Sequence, residues 1–509
     1  MALSREPFLE FDDETFDWWD EPPRREQPAP PARVASRRRG PPPRTLASDL
    51  ASLRVALTPH ARTLAAAAIL VLTAAVAAVL LRGGGSEPEL AREQPPAAPA
   101  GPGNQTEAAS LEQPAQLLRE GQRGADVRDL QHALASLGYY GAAADGAYGE
   151  GTAAAVTSFQ AANGLLADGI VGATTTAALR EAIAARAEVD AGSAGEGLEA
   201  AVAAGRLEDE AAARHRQTLA DAQDALAELP PGRGAFVATV LRSVAIHADA
   251  YDGPRAHTLF EMLDANVSRF RARVLPATLR DFVATDGIVY LFYTGHGFQF
   301  NPLTNFSRLN GLARKGRRVQ TAELAEALVA RGIPVGNALA WEYYFPFGGP
   351  SRWTSGFSQA VGAQALARAG ELLDDPDLIA SARAAYRLIP RDLSLDLPYG
   401  AWIQEYGYSD MPILNAQLQS IVSLSNYVEI TGDERARAFT ENMAASARSL
   451  LHRFDTGCWS RYSLDGSPAD THYHAYHVDL LGRLSQVLDD PIWGETQRRW
   501  AAYEAAGGC

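Results

Sequence analysis

The sequence predicts a mostly helical protein that combines a single transmembrane helix, a small three-helix domain, and a large α/α bundle or toroid domain with a minor β element. Three features of the chain lead to this prediction. An apolar run lies near the N-terminus, a short segment punctuated by glycine and aspartate follows it, and helical apolar stripes fill the C-terminal half. With 509 residues the chain is too long for one ordinary domain, so several domains are expected.

The overall charge and the cysteine count exclude some classes of protein. A net charge of −15 argues against a general nucleic-acid binder, which would present a basic surface to the phosphates. Cys458 and Cys509 are the only cysteines in the sequence, so neither a disulfide framework nor a cysteine-rich metal site can form. The two could pair in an oxidising compartment, but we expect them to remain unpaired.

The apolar run at residues 63–81 is long enough to cross a bilayer, whose hydrocarbon core is about 30 Å thick. Arg62 and Arg82 flank the run, and arginines are much denser on its N-terminal side. By the positive-inside rule, the N-terminus is expected in the cytoplasm and everything beyond Arg82 outside it. The sequence therefore predicts a single-pass cell-membrane protein with extracytoplasmic C-terminal domains.

Composition divides much of the remaining chain into segments. Residues 1–60 mix acidic, aromatic and Pro/Arg-rich stretches and are expected to form a disordered cytoplasmic tail. Residues 83–115 are rich in Gly, Pro, Glu and Gln, which predicts a flexible linker. An Ala/Glu/Arg-rich stretch at 186–232 predicts a helical stalk, and the large domain is expected over 233–509.

The segment between the linker and the stalk, residues 116–185, contains an internal repeat. The pattern of residues 145–152 recurs at 168–175, with Asp-Gly at the start, a second glycine three residues after the first, and threonine at the end. We expect a tight turn at each Asp-Gly, a positive φ at each second glycine, and helix capping by Thr152 and Thr175. Apolar residues at helical spacing around the repeat predict a bundle of three short helices.

Several motifs of this segment resemble the peptidoglycan-binding domain family. They are residues 124–131, 137–140 and 168–172, together with Phe159-Gln160. The resemblance implies a non-catalytic module that holds the protein to the cell wall, with peptidoglycan as its partner. The turns alone account for the Gly and Asp residues, so no ligand-contacting group is assigned.

Two apolar stripes predict consecutive helices in the large domain, and Gly432 followed by Asp433 marks the end of one and the start of the next. The stripes are Leu414, Leu418, Ile421 and Val428, and Phe439, Met443, Ala447 and Leu450. Paired helices of this kind predict an α/α bundle or toroid. Aromatic and β-branched residues at 287–293 predict the β element. Aromatic residues concentrate in the loops, for example at 341–349, which suits a carbohydrate cleft because sugar rings stack on flat apolar faces.

Four blocks, in order along the chain, resemble the C-terminal domain of the D-glucuronyl C5-epimerase family. They are residues 353–359, Glu405-Tyr406, 454–462 and 472–477. The resemblance implies an isomerase that inverts C5 of glucuronic acid units in an acidic polysaccharide, by removing and replacing a proton without an organic cofactor. It also implies functional tyrosines at Tyr406, Tyr462 and Tyr473.

The chemistry of that reaction assigns roles to these residues. One group must remove the proton α to the substrate carboxylate, and a second must return a proton from the opposite face. We expect Tyr406 and Tyr473 to form this pair, with Tyr462 assisting, and Glu405 is an alternative base. A tyrosine base needs a nearby positive charge or donor, because its pKa is ordinarily about 10. The candidate substrate-binding residues are Glu405, His474, His477, Arg308, Trp353 and Gln359.

One position departs from the family pattern, because Asp465 stands where the family carries an arginine. Arg308 is the residue expected to supply positive charge for a uronate in its place. The histidines at 472–477 lack a carboxylate motif of recognised spacing, so no metal site is expected. Three alternatives remain open. They are a polysaccharide lyase, in which the same carbanion expels the 4-O substituent, a non-catalytic glycan-binding scaffold, and a peptidoglycan-associated regulator acting through its tail.

Overall fold

The computed structural model of the protein describes residues 9–10, 117–272, 281–293, 295–464 and 466–509. The predicted membrane span, the predicted linker, nearly all of the predicted tail, and Asp465 lie outside these residues. None of the helices within the described ranges is both long and apolar enough to cross a bilayer. The described part is mostly helical with small sheets, which confirms the predicted class at that level.

Three helices enclose the core of the small domain. They are α1 (Ala125–Ser136), α2 (Glu150–Ala162) and the first part of α3 (Ala173–Ala203). Apolar side chains from all three helices are buried together, including Val127, Leu134, Val156, Phe159 and Leu179. Helix α3 continues well beyond this core and connects the small domain to the rest of the molecule.

The internal repeat consists of two copies of one hydrogen-bond network. In the first copy the buried amide of Gln131 donates to Asp145 Oδ1 at 2.8 Å and to Thr152 Oγ1 at 3.0 Å, and it accepts from the Gly146 N–H. The second copy has the same contacts, made by Gln160 with Asp168, Thr175 and Gly169. Each Asp-Gly turn is therefore fixed by a glutamine from the preceding helix.

Two details of the repeat differ from the prediction. Thr152 and Thr175 do not cap their helices, whose N-cap residues are the second glycines, because the glutamine amides hold both hydroxyls inside the domain. The positive φ falls on the first glycine of each copy, 71° at Gly146 and 68° at Gly169. At that position the backbone N–H must face the glutamine Oε1, and only glycine adopts the conformation readily.

Residues 186–232, for which a helical stalk was predicted, are helical and pack into the main core. They comprise the end of α3, helix α4 (Asp209–Glu228) and the first residues of α5 (Pro231–Ala245). Helix α3 packs against α5, and α4 packs against α6 (Gly253–Arg271), which follows the 3-10 turn Ala248–Ala250. Within this stretch, seven of the twelve buried positions of α3 and α4 are alanines, which allow the helices to approach closely although the sequence looks weakly amphipathic.

A small antiparallel sheet follows α6. Strand β3 (Val289–Tyr293) pairs with β2 (Phe282–Val283) on one side and with β4 (Gly297–Phe300) on the other, and β1 (Leu9–Glu10) pairs with β2. Strand β3 is the β element predicted at 287–293. The sheet packs on the helices through β4, which contacts both α5 and α6.

Eight further helices, numbered α7 to α14, follow the sheet within the described ranges. They are α7 (Pro302–Arg314), α8 (Arg318–Ala330), α9 (Gly356–Leu373), α10 (Pro376–Asp392), α11 (Leu414–Thr431), α12 (Glu434–Leu450), α13 (Thr471–Val487) and α14 (Ile492–Ala505). Helices α7, α9, α11 and α13 pack against one another in succession, and we call them the inner helices. Each is followed by a helix that packs on it, which gives the alternating α/α arrangement.

The boundary between α11 and α12 is where the sequence predicts it. Gly432 ends α11 at φ 63°, and the Asp433 side chain accepts hydrogen bonds from the first turn of α12. Short hairpins connect other helices of the array. They are β5 (Ile333–Val335) with β6 (Ala338–Ala340), β7 (Glu342–Tyr343) with β8 (Trp353–Thr354), and β9 (Ser394–Leu397) with β10 (Gly400–Ile403).

Cys458 and Cys509 form a disulfide, so the expectation that they remain unpaired is wrong. Their Cα atoms are 5.2 Å apart although 51 positions separate them in the sequence. The two meet because α14 packs back along α13 and brings the end of the chain to the turn that follows the 3-10 helix Leu451–Phe454. Such a long-range approach leaves no local signal in the sequence.

Candidate active site

The loops that precede the inner helices meet at one end of the two-layer array. The N–H of Gly407, in the loop before α11, donates to the Thr354 carbonyl before α9 at 2.8 Å. The N–H of Leu414 donates to the carbonyl of Tyr462, in the loop before α13, at 3.0 Å. Residues far apart in the sequence are thereby held side by side.

Glu405, Tyr406, Tyr462 and Tyr473 lie together at this end, and we call them the carboxyl–tyrosine cluster. The Tyr462 hydroxyl is 3.4 Å from both carboxylate oxygens of Glu405. The Tyr406 hydroxyl is close enough to Glu405, and Tyr473, in the first turn of α13, close enough to Tyr462, for each pair to influence the other's pKa. The rings of Tyr462 and Tyr473 meet edge to face with centroids 4.7 Å apart. The structure thus brings together the three tyrosines and the carboxylate that the sequence singles out.

Burial sets the protonation of this cluster. It raises the pKa of Glu405 to about 7, although the hydrogen bonds from Tyr406 and Tyr462 act in the opposite direction. Burial, and after it the negative charge of Glu405, raises the pKa of all three tyrosines above the usual value for a phenol. A carboxyl with a pKa near neutrality can both accept and release a proton. The tyrosines, in contrast, are held as neutral hydrogen-bond and proton donors.

An aromatic wall lies beside the cluster. Trp353 stacks on Tyr343 with ring centroids 4.0 Å apart and planes 3° from parallel, and its indole N–H donates to the Phe345 carbonyl. Tyr406 lies 5.6 Å from both Trp353 and Phe347, measured between ring centroids. The Tyr343 side chain is close enough for the charge of Glu405 to act on its pKa. Trp353 and Tyr343 are only 8% and 4% exposed, so the wall packs the end of the array beside Tyr406.

The two predicted histidine ligands are fully buried behind the cluster. His474 Nδ1 accepts from the Ser460 N–H at 3.1 Å, and its Nε2 lies 3.1 Å from the Trp500 carbonyl. The Ser460 hydroxyl lies 2.9 Å from Nδ1 of His474 and also 2.9 Å from Nδ1 of His477. Burial lowers the pKa of His477 to about 3, so this histidine is neutral. These contacts favour a positioning role, in which both histidines fix the turn before α13 and hence Tyr473.

Gln359 and Arg308 were the remaining predicted substrate-binding residues. The buried amide of Gln359 donates to the carbonyls of Leu339 and Ala385 and accepts from the Trp341 N–H, which favours a structural role. Arg308 is half-buried on α7, where burial lowers its pKa. The pKa of Glu405 is set by burial and by two tyrosine hydroxyls, and none of these is cationic.

Sequence reasoning did not single out Ser460 or Tyr343. Ser460 lies inside one of the motif blocks. The feature that could have identified it is a small polar residue two positions before Tyr462, in a loop that leads to a histidine-rich helix start. Tyr343 belongs to the aromatic loop at 341–349. The density of rings in this loop indicates a carbohydrate cleft but does not distinguish Tyr343 from its neighbours.

Two segments of the chain match known protein families. Residues 336–502 match the family described as D-glucuronyl C5-epimerase C-terminus, and residues 123–179 match a peptidoglycan binding domain. The chain therefore combines two segments that match known domain families. More particularly, one is similar to the C-terminal domain of D-glucuronyl C5-epimerases and the other to peptidoglycan-binding domains.

Solved structures that resemble the chain include an endoglucanase from Komagataeibacter sucrofermentans and the endo-beta-1,4-glucanase CMCax from Acetobacter xylinum. They are 13% and 16% identical to it, each with a TM-score of 0.30. The matches cover 38% and 40% of this chain, and 66% and 67% of the two glucanase chains.

Proposed function

We propose that this protein is a polysaccharide-modifying isomerase that inverts C5 of glucuronic acid units. The observation that carries the proposal is the buried Glu405 carboxyl, whose pKa of about 7 matches the task of a proton-transfer group at neutral pH. The match of residues 336–502 to the C5-epimerase C-terminus supports carbohydrate-modifying activity. Proton transfer at C5 requires no organic cofactor.

In the proposed reaction, the Glu405 carboxylate removes H5, which is acidic because it is α to the substrate carboxylate. The electron pair left on C5 delocalises into that carboxylate as an enediolate. Tyr473, whose ring meets that of Tyr462 with centroids 4.7 Å apart, then donates its hydroxyl proton to C5 from the opposite face. The proton held by Glu405 returns to the Tyr473 phenolate through the Tyr462 hydroxyl. In this scheme Tyr406 serves as a hydrogen-bond donor to Glu405.

Two features of the site support an anionic sugar as the substrate. The first is the inner helix α11, which begins at this end of the array without a side-chain cap, and a helix N-terminus carries a partial positive charge equivalent to about half a unit. The second is the aromatic wall around Trp353 and Tyr343, whose rings are 8% and 4% exposed and stack on a sugar ring only if the loops that carry them open.

The test is to incubate the full-length protein with an unsulfated glucuronic acid polysaccharide in deuterated water and to follow deuterium at C5 by NMR. Glu405→Gln and Tyr473→Phe are expected to lower the exchange rate by about 100-fold or more, the size of a lost general acid or base. Tyr399→Phe is the matched control, because that tyrosine is exposed at the β9–β10 turn. A thermal melt of each variant checks that the fold is retained.

The products decide between the reactions that share this first step. An iduronic acid signal identifies the epimerase, whereas an unsaturated product that absorbs in the ultraviolet identifies a lyase. Absence of exchange, with binding of the polysaccharide intact, would refute the proposal and favour the non-catalytic scaffold.

We also propose that the protein is anchored by residues 63–81 with its C-terminal domains outside the cytoplasm. The Cys458–Cys509 disulfide supports this location, because disulfides persist mainly in oxidising compartments. The peptidoglycan-binding domain supports it as well, since the wall polymer lies outside the membrane. The pairing of β1 with β2 opposes it, because that contact needs Leu9–Glu10 on the same side as the large domain.

A further inference from the structure

A cleft of about 340 Å³ opens between the small domain and the main helical core. Helices α1 and α3 form one wall, and α5 with the β3–β4 turn forms the other. The aromatic loop contributes Tyr344, Phe345 and Pro346, and no residue of the carboxyl–tyrosine cluster lines the cleft. The volume falls within the range of small-ligand sites, roughly 300–1,000 Å³.

Two arginines give the cleft a positive charge. Arg242 is exposed on α5, and Arg186 on α3 is held at the rim by its hydrogen bond to the Ser136 carbonyl at 2.8 Å. None of the described residues that line the cleft is acidic. Asp190 lines a small adjoining hollow that both arginines share, so it reduces the positive charge without occupying the cleft.

A buried acceptor lies in the same cleft without a partner. Gln299 is 1% exposed, and its Nε2 donates to the His296 carbonyl at 2.6 Å, which fixes the orientation of the amide. Its Oε1 accepts no hydrogen bond within the described part of the chain. An unsatisfied buried acceptor costs about 1–3 kcal/mol, so a ligand hydroxyl that reached it would be bound favourably.

Neutral imidazoles and aromatic rings complete the lining. Burial lowers the pKa of His132 to about 4, and burial also lowers the pKa of His296, so both offer hydrogen bonds rather than charge. His132 packs on Phe236 with ring centroids 4.7 Å apart, and His296 lies 5.5 Å from Phe345. The cleft is therefore lined by arginines that can bind a carboxylate, by Gln299 and histidines that can bind hydroxyls, and by aromatic rings.

We propose that this interdomain cleft binds a carboxylate-bearing sugar unit. The arginines pair with the carboxylate, Gln299 and the histidines bind hydroxyls, and the aromatic rings face the pyranose. The shared chemistry is an acidic pyranose, which occurs both as a uronic acid and as the N-acetylmuramic acid unit of peptidoglycan glycan strands whose lactyl carboxyl carries no peptide. Binding in the cleft does not depend on the proposed reaction at Glu405, because it involves other residues.

The test is calorimetric titration of the full-length protein, in detergent, with three tetrasaccharides. One alternates glucuronic acid and N-acetylglucosamine, one alternates muramic acid and N-acetylglucosamine, and one contains N-acetylglucosamine alone. The variants are Arg242→Ala, which removes a charge, and Ile246→Asp, which adds an opposing charge at a cleft residue that is 49% exposed. Arg214→Ala is the matched control, because it removes an exposed arginine outside the cleft.

Both cleft variants are expected to weaken binding of an acidic tetrasaccharide by about 10-fold, the effect of losing a charge-assisted hydrogen bond, while Arg214→Ala does not. The acidic tetrasaccharide whose affinity falls identifies the source of the ligand. Equal affinities in the wild type, the cleft variants and the control would overturn the proposal. Equal binding of the neutral tetrasaccharide would overturn it too. The Glu405→Gln variant should keep the cleft-dependent difference, which separates this result from the fate of the proposed reaction.

Discussion

The carboxyl group of Glu405 connects burial to catalysis at the scale of a single residue. The proposed base must be ionised to remove a proton, and burial raises its pKa to about 7. The exchange rate at C5 is therefore expected to rise with pH through about 7 and to level off above it. A pH profile of deuterium exchange under substrate saturation measures this. A profile that is flat between pH 5 and 9 would contradict Glu405 as the base.

The same raised pKa makes a prediction about stability. Between the ordinary glutamic acid pKa of 4.5 and about 7, the folded protein keeps a proton that the unfolded chain has lost. The free energy of unfolding therefore falls as pH rises through this window. Urea unfolding at pH 5 and pH 8 should show a larger loss of stability in the wild type than in Glu405→Gln, which cannot titrate. An equal loss in both proteins would argue against the shifted pKa.

The buried glutamines of the repeat are expected to be the most sensitive polar residues of the small domain. Replacing Gln160 by Leu leaves the Gly169 N–H and the Thr175 hydroxyl without their partner. We expect a loss of about 1–3 kcal/mol in the stability of the domain. Urea unfolding followed by amide hydrogen exchange measures it. Gln217→Leu is the control, because that glutamine is exposed on α4, and an equal effect of both changes would count against the network.

Individual residues of the site were predictable to different degrees. Tyr406, Tyr462 and Tyr473 stand in sequence motifs, so their proximity followed from resemblance. The raised pKa of Glu405 could not be predicted in this way, because the desolvation of a carboxyl depends on all the residues packed around it. Gln299 and Arg242 carry no motif, and their placement in one cleft depends on how two domains meet.

At the scale of elements, the disulfide joins α14 to the turn that positions Ser460. Its removal in a Cys458→Ser/Cys509→Ser double variant is expected to lower stability by about 2–4 kcal/mol, because a cross-link over 51 positions restricts the unfolded chain. Thermal unfolding with and without reductant measures this. The reductant should shift the melting temperature of the wild type and leave the double variant unchanged. A shift in neither protein would mean that the bond contributes little.

Some elements can be predicted from neighbouring residues in the sequence, and others cannot. The end of α11 and the start of α12 follow from Gly432 and Asp433, because each residue does its work within one turn of helix. The fate of residues 186–232 could not be predicted in the same way. Alanine-rich helices give a weak amphipathic signal, and only a close neighbour reveals that their small faces are buried.

At the scale of the whole molecule, the main prediction concerns topology. If residues 63–81 span the membrane with the N-terminus inside, external protease acting on intact spheroplasts should digest the chain beyond Arg82 and protect an N-terminal fragment. Epitope tags at both ends, followed by immunoblotting, distinguish the two fragments. Protection of the large domain would contradict the anchored arrangement, and so would formation of the β1–β2 pair in the membrane-bound protein.

The relation between the domains was the least predictable level. Each domain could be recognised from its own periodicity and motifs, but no sequence pattern specifies that α1 packs against α5. Such contacts depend on the shapes of two finished surfaces. The interdomain cleft, a product of that contact, was therefore invisible until the fold was complete.

The placement of the site in the loops before the inner helices has an evolutionary consequence. The inner helices pack against one another in succession, and those contacts hold the array together, whereas the loops at the end carry the residues of the carboxyl–tyrosine cluster. Substitutions in the loops can thus alter which sugar is bound without changing how the helices pack. In an architecture of this kind, substrate specificity and fold stability depend on different residues. New specificities can therefore arise by loop exchange while the helical scaffold stays unchanged.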